Sequence, residues 1–252
     1  QTGAMLHGTR GVSDPALIAR GCGTQPCSYA PTTMSMQMHM LDLMYAPTDW
    51  LNLMLMPQFM SMDMDFRKIT GAPPPSGESH NHGGAPHHAT GGVGDTGLYA
   101  LFRLFDTPGH HAHVTLGFMA PSGNSGLKMP SSGTFYDFGM QLGSGTWDFR
   151  PSLTYTGQQA RWGWGAQVGA ITRLENRNAH GYALGDQFQA TAWGNYGLTD
   201  WLGASLRGLY TVQGKVDGHY NGAASYSGSM DFPNNYGGHY WDLGIGLNAT
   251  VP

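Results

Sequence analysis

Residues 34–65, MSMQMHMLDLMYAPTDWLNLMLMPQFMSMDMD, carry methionine at every second position on both sides of a short break. Met34, Met36, Met38, Met40 and Met44 precede Ala46-Pro47-Thr48-Asp49; Met54, Met56, Met60, Met62 and Met64 follow it. Two is the side-chain period of a β-strand, so each methionine set lies on one face of its strand. Asp42 shares the first methionine face, and Asn52 and Gln58 share the second. The opposite faces hold Leu41, Leu43, Tyr45, Leu51, Leu53, Leu55 and Phe59. A water-soluble sheet would bury the leucine face. Here the polar groups keep company with the methionines, so the leucine rows are expected to face lipid and the methionines a wet interior. Pro57, without an N–H donor, is the place where a bulge would reverse the faces for Met60–Met64.

Composition agrees with a membrane-embedded sheet. Charged residues are 11% of the 252, aromatics 12%, and glycine reaches 39. No apolar run approaches the ~18 residues of a membrane helix. A transmembrane β-barrel signals itself by alternation instead. The net charge of −4 gives no footprint for nucleic acid. Gln1 is not preceded by a basic and apolar leader, which is expected of a chain already processed on export.

Alternation continues over 33–45, 50–67, 95–106, 111–121, 140–157, 161–176, 185–198, 201–215 and 237–250, with a weak stretch near Gly3–His7. Short connections (46–49, 107–110, 157–160, 198–200) alternate strictly with long ones (8–32, 68–94, 122–139, 177–184, 216–236). Sorting of loops by length onto two rims is the pattern of outer-membrane barrels, with short turns periplasmic and long loops external. A soluble barrel has weaker reason to do this. Mid-strand charge supports the same arrangement, because arginine on the lipid face costs about 2–4 kcal/mol at the midplane. Asp42, Arg103, Asp148, Arg150, Arg173, Arg207 and Asp242 are therefore expected inside, and Trp147, Tyr155, Trp162, Trp164, Tyr196 and Tyr210 in lipid-facing aromatic girdles. The expected fold is all-β: one antiparallel transmembrane barrel over 1–252, of about ten strands.

Three stretches, MSMQMHMLDLMYAPTDWLNLMLMPQFMSMDMD, MQLGSGTWDFRPSLTYTG and GYALGDQFQATAWGNYGLTDWL, resemble bacterial outer-membrane transporters of the "MetA-pathway of phenol degradation" type. The resemblance implies a barrel of about twelve strands with a solute pathway and no catalytic residues. The chain departs from it in a poorly formed first strand and in stopping at Ala249-Thr250-Val251-Pro252, where relatives continue through another hairpin. A partial copy of a twelve-stranded barrel is expected.

The methionine wall (Met36, Met38, Met40, Met54, Met56, Met60, with Asp42 and Gln58) has two readings. Thioethers are soft ligands suited to Cu(I), and facing strands would let them converge. Methionine is also a flexible filler and a lining for apolar solutes, the weightier reading. The opposite wall, with Arg103, Arg150, Arg173, Arg207, Gln167 and Gln189, is cationic and polar. Such a lumen suits passive passage of small aromatic or amphipathic solutes; a copper-handling barrel and a plugged, partner-binding barrel are the alternatives. His80, His82, His87 and His88 in SHNHGGAPHHATGG are candidate ligands for Cu, Ni or Zn, or a solvated loop without a site. Cys22 and Cys27 are expected to form a small disulfide loop. Catalysis is not expected: no GxSxG or HExxH motif occurs, and Asp148 with Arg150 and Asp242 with Arg207 read as stiffening charge networks.

Overall fold

Strands form where methionine, aromatic or branched side chains alternate with small or polar ones, and glycine or proline ends each run. The computed structural model describes residues 6–22, 27–69, 87–224 and 228–249. Its long strands are β1 (Tyr29–Met40), β2 (Leu43–Thr48), β3 (Leu51–Met56), β4 (Gln58–Lys68), β5 (His87–Val93), β6 (Thr96–Thr107), β7 (His110–Ala120), β8 (Asp148–Gln159), β9 (Trp162–Arg173), β10 (Gln187–Gly197), β11 (Leu202–Gln213) and β12 (Gly238–Ala249). A nine-stranded antiparallel sheet runs β12-β11-β10-β9-β8-β7-β6-β3-β2, and a three-stranded sheet runs β1-β4-β5. The two sheets are one wall interrupted at one level. β1 continues into β2, β3 into β4 and β5 into β6 across residues 41–42, 57 and 94–95. Pro57 removes a ladder donor there. Leu41 N donates to Pro57 O (3.2 Å) and Gly94 N to Gln58 O (2.8 Å), which keeps the three strands adjacent through the kink. Among the described residues no pairing joins the outer strands β2 and β12.

Tight turns at one rim and long segments at the other alternate as expected. Gly109 turns β6 into β7 at φ 80° and Ala160 turns β8 into β9 at φ 52°, the positive φ that two-residue hairpins need. Three boundaries differ from the sequence-based expectation. The run 140–157 enters the sheet only at Asp148, because 138–140 form a 3₁₀ turn and 141–147 a loop. Segment 68–94 already contains β5, and 8–32 contains a helix over Asp14–Arg20 and the start of β1. Leu6–His7 pairs with Arg10–Gly11 in a separate ribbon, so the weak first stretch adds no strand to the wall.

Directly paired residues share a face of the sheet. Val114, Leu153, Val168, Ala190, Tyr210 and Trp241 make one row across β7–β12. Arg103, His113, Thr154, Gln167, Thr191, Leu209 and Asp242 make the neighbouring row on the other face. The apolar row is the bare one: Leu153 and Val168 are each 44% exposed, whereas Thr154 and Thr191 are 6% and 8%. A fold with polar residues covered and aliphatic ones uncovered needs a hydrocarbon surround. The chain therefore sits in the outer membrane with the Val168 face toward lipid. No helix among the described residues is long and apolar enough to cross. Val168→Arg is expected to lower folding stability in lipid vesicles by about 2–4 kcal/mol, while Gln167→Arg, one residue away on the inner face, changes it by less than about 1 kcal/mol. Urea titration in lipid vesicles reads both; equal losses would reverse the face assignment.

Candidate functional site

The inner face of β6–β11 carries the polar groups that alternation placed there. Asp148, on β8 and fully buried, is bonded by the Arg173 guanidinium from β9 and by Thr146 Oγ1 at 2.8 Å. Arg150, two residues along, stands 4.0 Å from the same carboxylate. The expected Asp148–Arg150 network is thus centred on Arg173. The expected Asp242–Arg207 partnership is absent from the ion pairs among the described residues. Asp242 lies opposite Leu209, and Arg207 Nε donates to Thr191 Oγ1 at 3.0 Å. Gln167 Nε2 donates to Thr154 Oγ1 at 2.8 Å. Between these groups is a cavity of about 260 Å³, bounded by Tyr99, Arg150, Gln167, Gln189, Thr191 and Arg207 among others. Tyr99 lies flat on the wall: a Cβ at Gly97 or Gly117 would come within 2.4 Å of its ring. A Cβ at Gly165 would likewise meet the Trp193 ring at 2.2 Å. A wider concavity of about 430 Å³ opens at the short-turn rim beside Trp50, Asn52, Arg103, Asp106, His111 and His113.

The methionine face holds its parity through Pro57, with no reversal. Met54 pairs Tyr99 and Met56 pairs Gly97 on the inner face. Beyond the proline Gln58, Met62, Met64 and Phe66 are all buried. Met34, Met36 and Met38 face Met64, Met62 and Met60 across β1–β4, and Met40 faces Gln58. Met36, Met38 and Met40 remain 41–56% exposed because β1 is the outer strand of its sheet. Asp42 falls at the kink. Met62 and Met64 pack with Tyr29, Phe66, Met140 and Leu142 as a hydrocarbon core, with Met60 at its margin. That is the filler role of methionine, and it does not support the copper reading.

Segment 121–147, most of it expected as an external loop, packs inward against that methionine face. Thr90 Oγ1 donates to Met140 O at 2.9 Å. Asp95 accepts from Gly123 N at 3.0 Å, from Ser144 N at 2.8 Å and from Ser144 Oγ at 3.2 Å, so one carboxylate on the wall ties both ends of the segment. Gln141 holds its middle: the amide takes Leu127 N at 2.8 Å and donates to Tyr220 Oη at 3.0 Å. Phe138 stacks on Tyr220 at 4.7 Å and 2°, and meets Tyr182 edge-on at 4.9 Å. Tyr182 and Tyr220 come from the next two long segments, so three loops share one aromatic core. Burial pushes the Tyr182 phenol up to about 12 and raises Tyr236 as well, so these hydroxyls stay neutral donors at ordinary pH. The sequence carried a signal for this packed segment in Phe135, Tyr136 and Phe138, too apolar for a solvated loop. Asp95, Gln141 and Ser144 left none.

Of the four tract histidines only His87 and His88 lie among the described residues; His80 and His82 lie outside them. His87 and His88 point to opposite faces of β5: His87 Nδ1 is 2.9 Å from Asp65, while His88 sits between the rings of Phe66 and Tyr136. Among the described residues no three His, Cys, Asp or Glu side chains converge as a metal site would require. Cys22 and Cys27 are joined in a disulfide, both buried.

A sequence-family profile described as "Putative MetA-pathway of phenol degradation" matches residues 68–251. The chain belongs to that family. Among solved structures, this member of the family is similar to the COG4313 outer membrane channel from Pseudomonas putida F1, at 15% identity and a TM-score of 0.52, over 90% of this chain and 74% of that one. It is also similar to the CymD monoaromatic hydrocarbon channel, at 10% identity and a TM-score of 0.40, over 70% and 46% of the two chains, a likeness too distant to carry an argument. The first likeness fixes the fold as that of an outer-membrane channel. No curated protein is similar in sequence.

Proposed function

We propose that the protein is a passive outer-membrane channel for small organic solutes, aromatic or otherwise amphipathic. The observation that carries this is the inverted wall: a bare aliphatic face on one side of the sheet and, on the other, a methionine stretch running beside an arginine- and glutamine-bearing one. Such a lumen wets the polar end of a solute on one side and slides its apolar end along the other. Met36, Met38, Met40, Asp42, Met54, Met56, Gln58, Met60, Arg103, Asp148, Arg150, Arg173, Arg207 and Asp242 are assigned to the lining. Closure of the wall into a barrel of ten to twelve strands is part of the same proposal, since uncovered sheet edges do not persist in lipid. Membership of a family named for phenol degradation supports an aromatic cargo.

Reconstitution tests it. Liposomes containing the protein are expected to take up phenol and benzyl alcohol faster than empty ones. Uptake no faster than through bare lipid would leave a plugged scaffold in place of a channel.

A further inference from the structure

The lumen cavity has a charge pattern that a channel for neutral hydrocarbons does not need. Two guanidiniums, Arg150 and Arg207, border it, and no carboxylate does. The remaining polar borders are amides and hydroxyls, chiefly Gln167, Gln189, Ser152 and Thr115. Of the nearby acids, Asp148 is shared between Arg173 and Arg150, and none is paired with Arg207 among the described residues. Asp148 is engaged by Arg173 and lies 4.0 Å from Arg150. Asp242, one strand beyond the cavity, forms no ion pair with Arg207 among the described residues. Arg150 Nε is buried and has no hydrogen-bond partner. Arg207 is steered by its Nε bond to Thr191, which leaves the forked edge of its guanidinium available to a bidentate acceptor. Holding Arg207 in a partly buried space, with no ion pair of its own among the described residues, is costly. The cost is relieved when a ligand brings the charge.

We propose that this cavity is a selectivity site for the carboxylate of a small aromatic acid, clasped by Arg207 with Arg150 alongside. This deepens the channel reading and rests on it for the route of entry. Size agrees: about 260 Å³ holds a single-ring acid. Tyr99 offers a ring face at the cavity's edge for the aromatic part.

The probes are benzoate, benzyl alcohol and benzylamine, which share a ring and differ in charge. Calorimetric titration of the whole protein in detergent micelles is expected to show saturable benzoate binding at least about tenfold tighter than either other probe. Arg207→Gln is expected to lose that preference and Arg207→Lys to keep part of it. A variant lacking the wild-type folded gel mobility is set aside, and the three-probe comparison on the wild type then decides alone. Liposome flux of the same probes separates the two readings. Selective binding without flux of any probe supports the anion site and overturns the channel. Flux of all three probes with no benzoate preference in binding overturns the anion site and leaves the channel. Neither binding nor flux overturns both.

Discussion

Asp95→Ala is expected to free segment 121–147 from the wall and raise single-channel conductance several-fold. The carboxylate accepts three hydrogen bonds from the two ends of that segment. Bonds to a charged acceptor contribute about 1.5–3 kcal/mol each, and a buried N–H stripped of its partner costs about 1–3 kcal/mol more. Gly123 N and Ser144 N would both be stripped, so several kcal/mol move against the inward-packed arrangement. That is enough to turn a minor open population into the main one. Asp95→Asn retains an acceptor oxygen without the charge and is expected to fall between. Planar-bilayer recordings read the conductance, and limited proteolysis reads release of the segment as new cleavage within 121–147. Unchanged conductance together with unchanged protease resistance would show that the segment is held elsewhere, with Gln141 the first place to look.

The second large effect concerns the Arg173–Asp148 pair. Asp148 is fully buried, and Arg173 and Arg150 both address it. Removing one partner from a buried ion pair costs about 3–5 kcal/mol, because the other charge is left behind. Asp148→Asn leaves two guanidiniums without their carboxylate, whereas Arg173→Met leaves the carboxylate with Thr146 and a more distant Arg150. Asp148→Asn is therefore expected to be the more destabilising of the two. The double variant is expected to recover part of the loss, with a coupling energy of about 1–3 kcal/mol in urea unfolding from lipid vesicles. A strictly additive double variant would mean that the two side chains act separately.

What the sequence made legible was governed by period and parity. The faces of β3, β4 and β6–β12 follow from alternation alone, since paired side chains share a face. Parity survived Pro57 because the proline falls between two strand segments with no inserted residue; a bulge would have required one. The inward packing of residues 140–147 was illegible for the same reason that the wall was clear. MQLGSGTWD alternates like a strand, yet Met140 and Leu142 satisfy that pattern by packing on Met62 and Met64 rather than by facing lipid. Period-two spacing cannot distinguish the two. Likewise Asp148 has Arg150 near in sequence, but β9 brings Arg173 beside it directly across the ladder. Counting imidazoles ignores the strand, which sends His87 and His88 to opposite sides.

Tyr99 and the two glycines beneath it form a lock whose parts do not vary independently. With a ring 2.4 Å from the site of a new Cβ, an alanine at position 97 is an insertion into occupied space, while the same alanine beside a smaller residue at 99 fills a hole; at 117 the Arg150 carbonyl oxygen, 2.9 Å away, blocks it as well. Trp193 binds the choice at 165 in the same way. In this chain the choice at 97 is thus tied to the size of residue 99, and the choice at 165 to that of residue 193. A designer who widens the lumen by trimming either ring inherits the freedom to rebuild the opposite strand, where every glycine had looked like a fixed point.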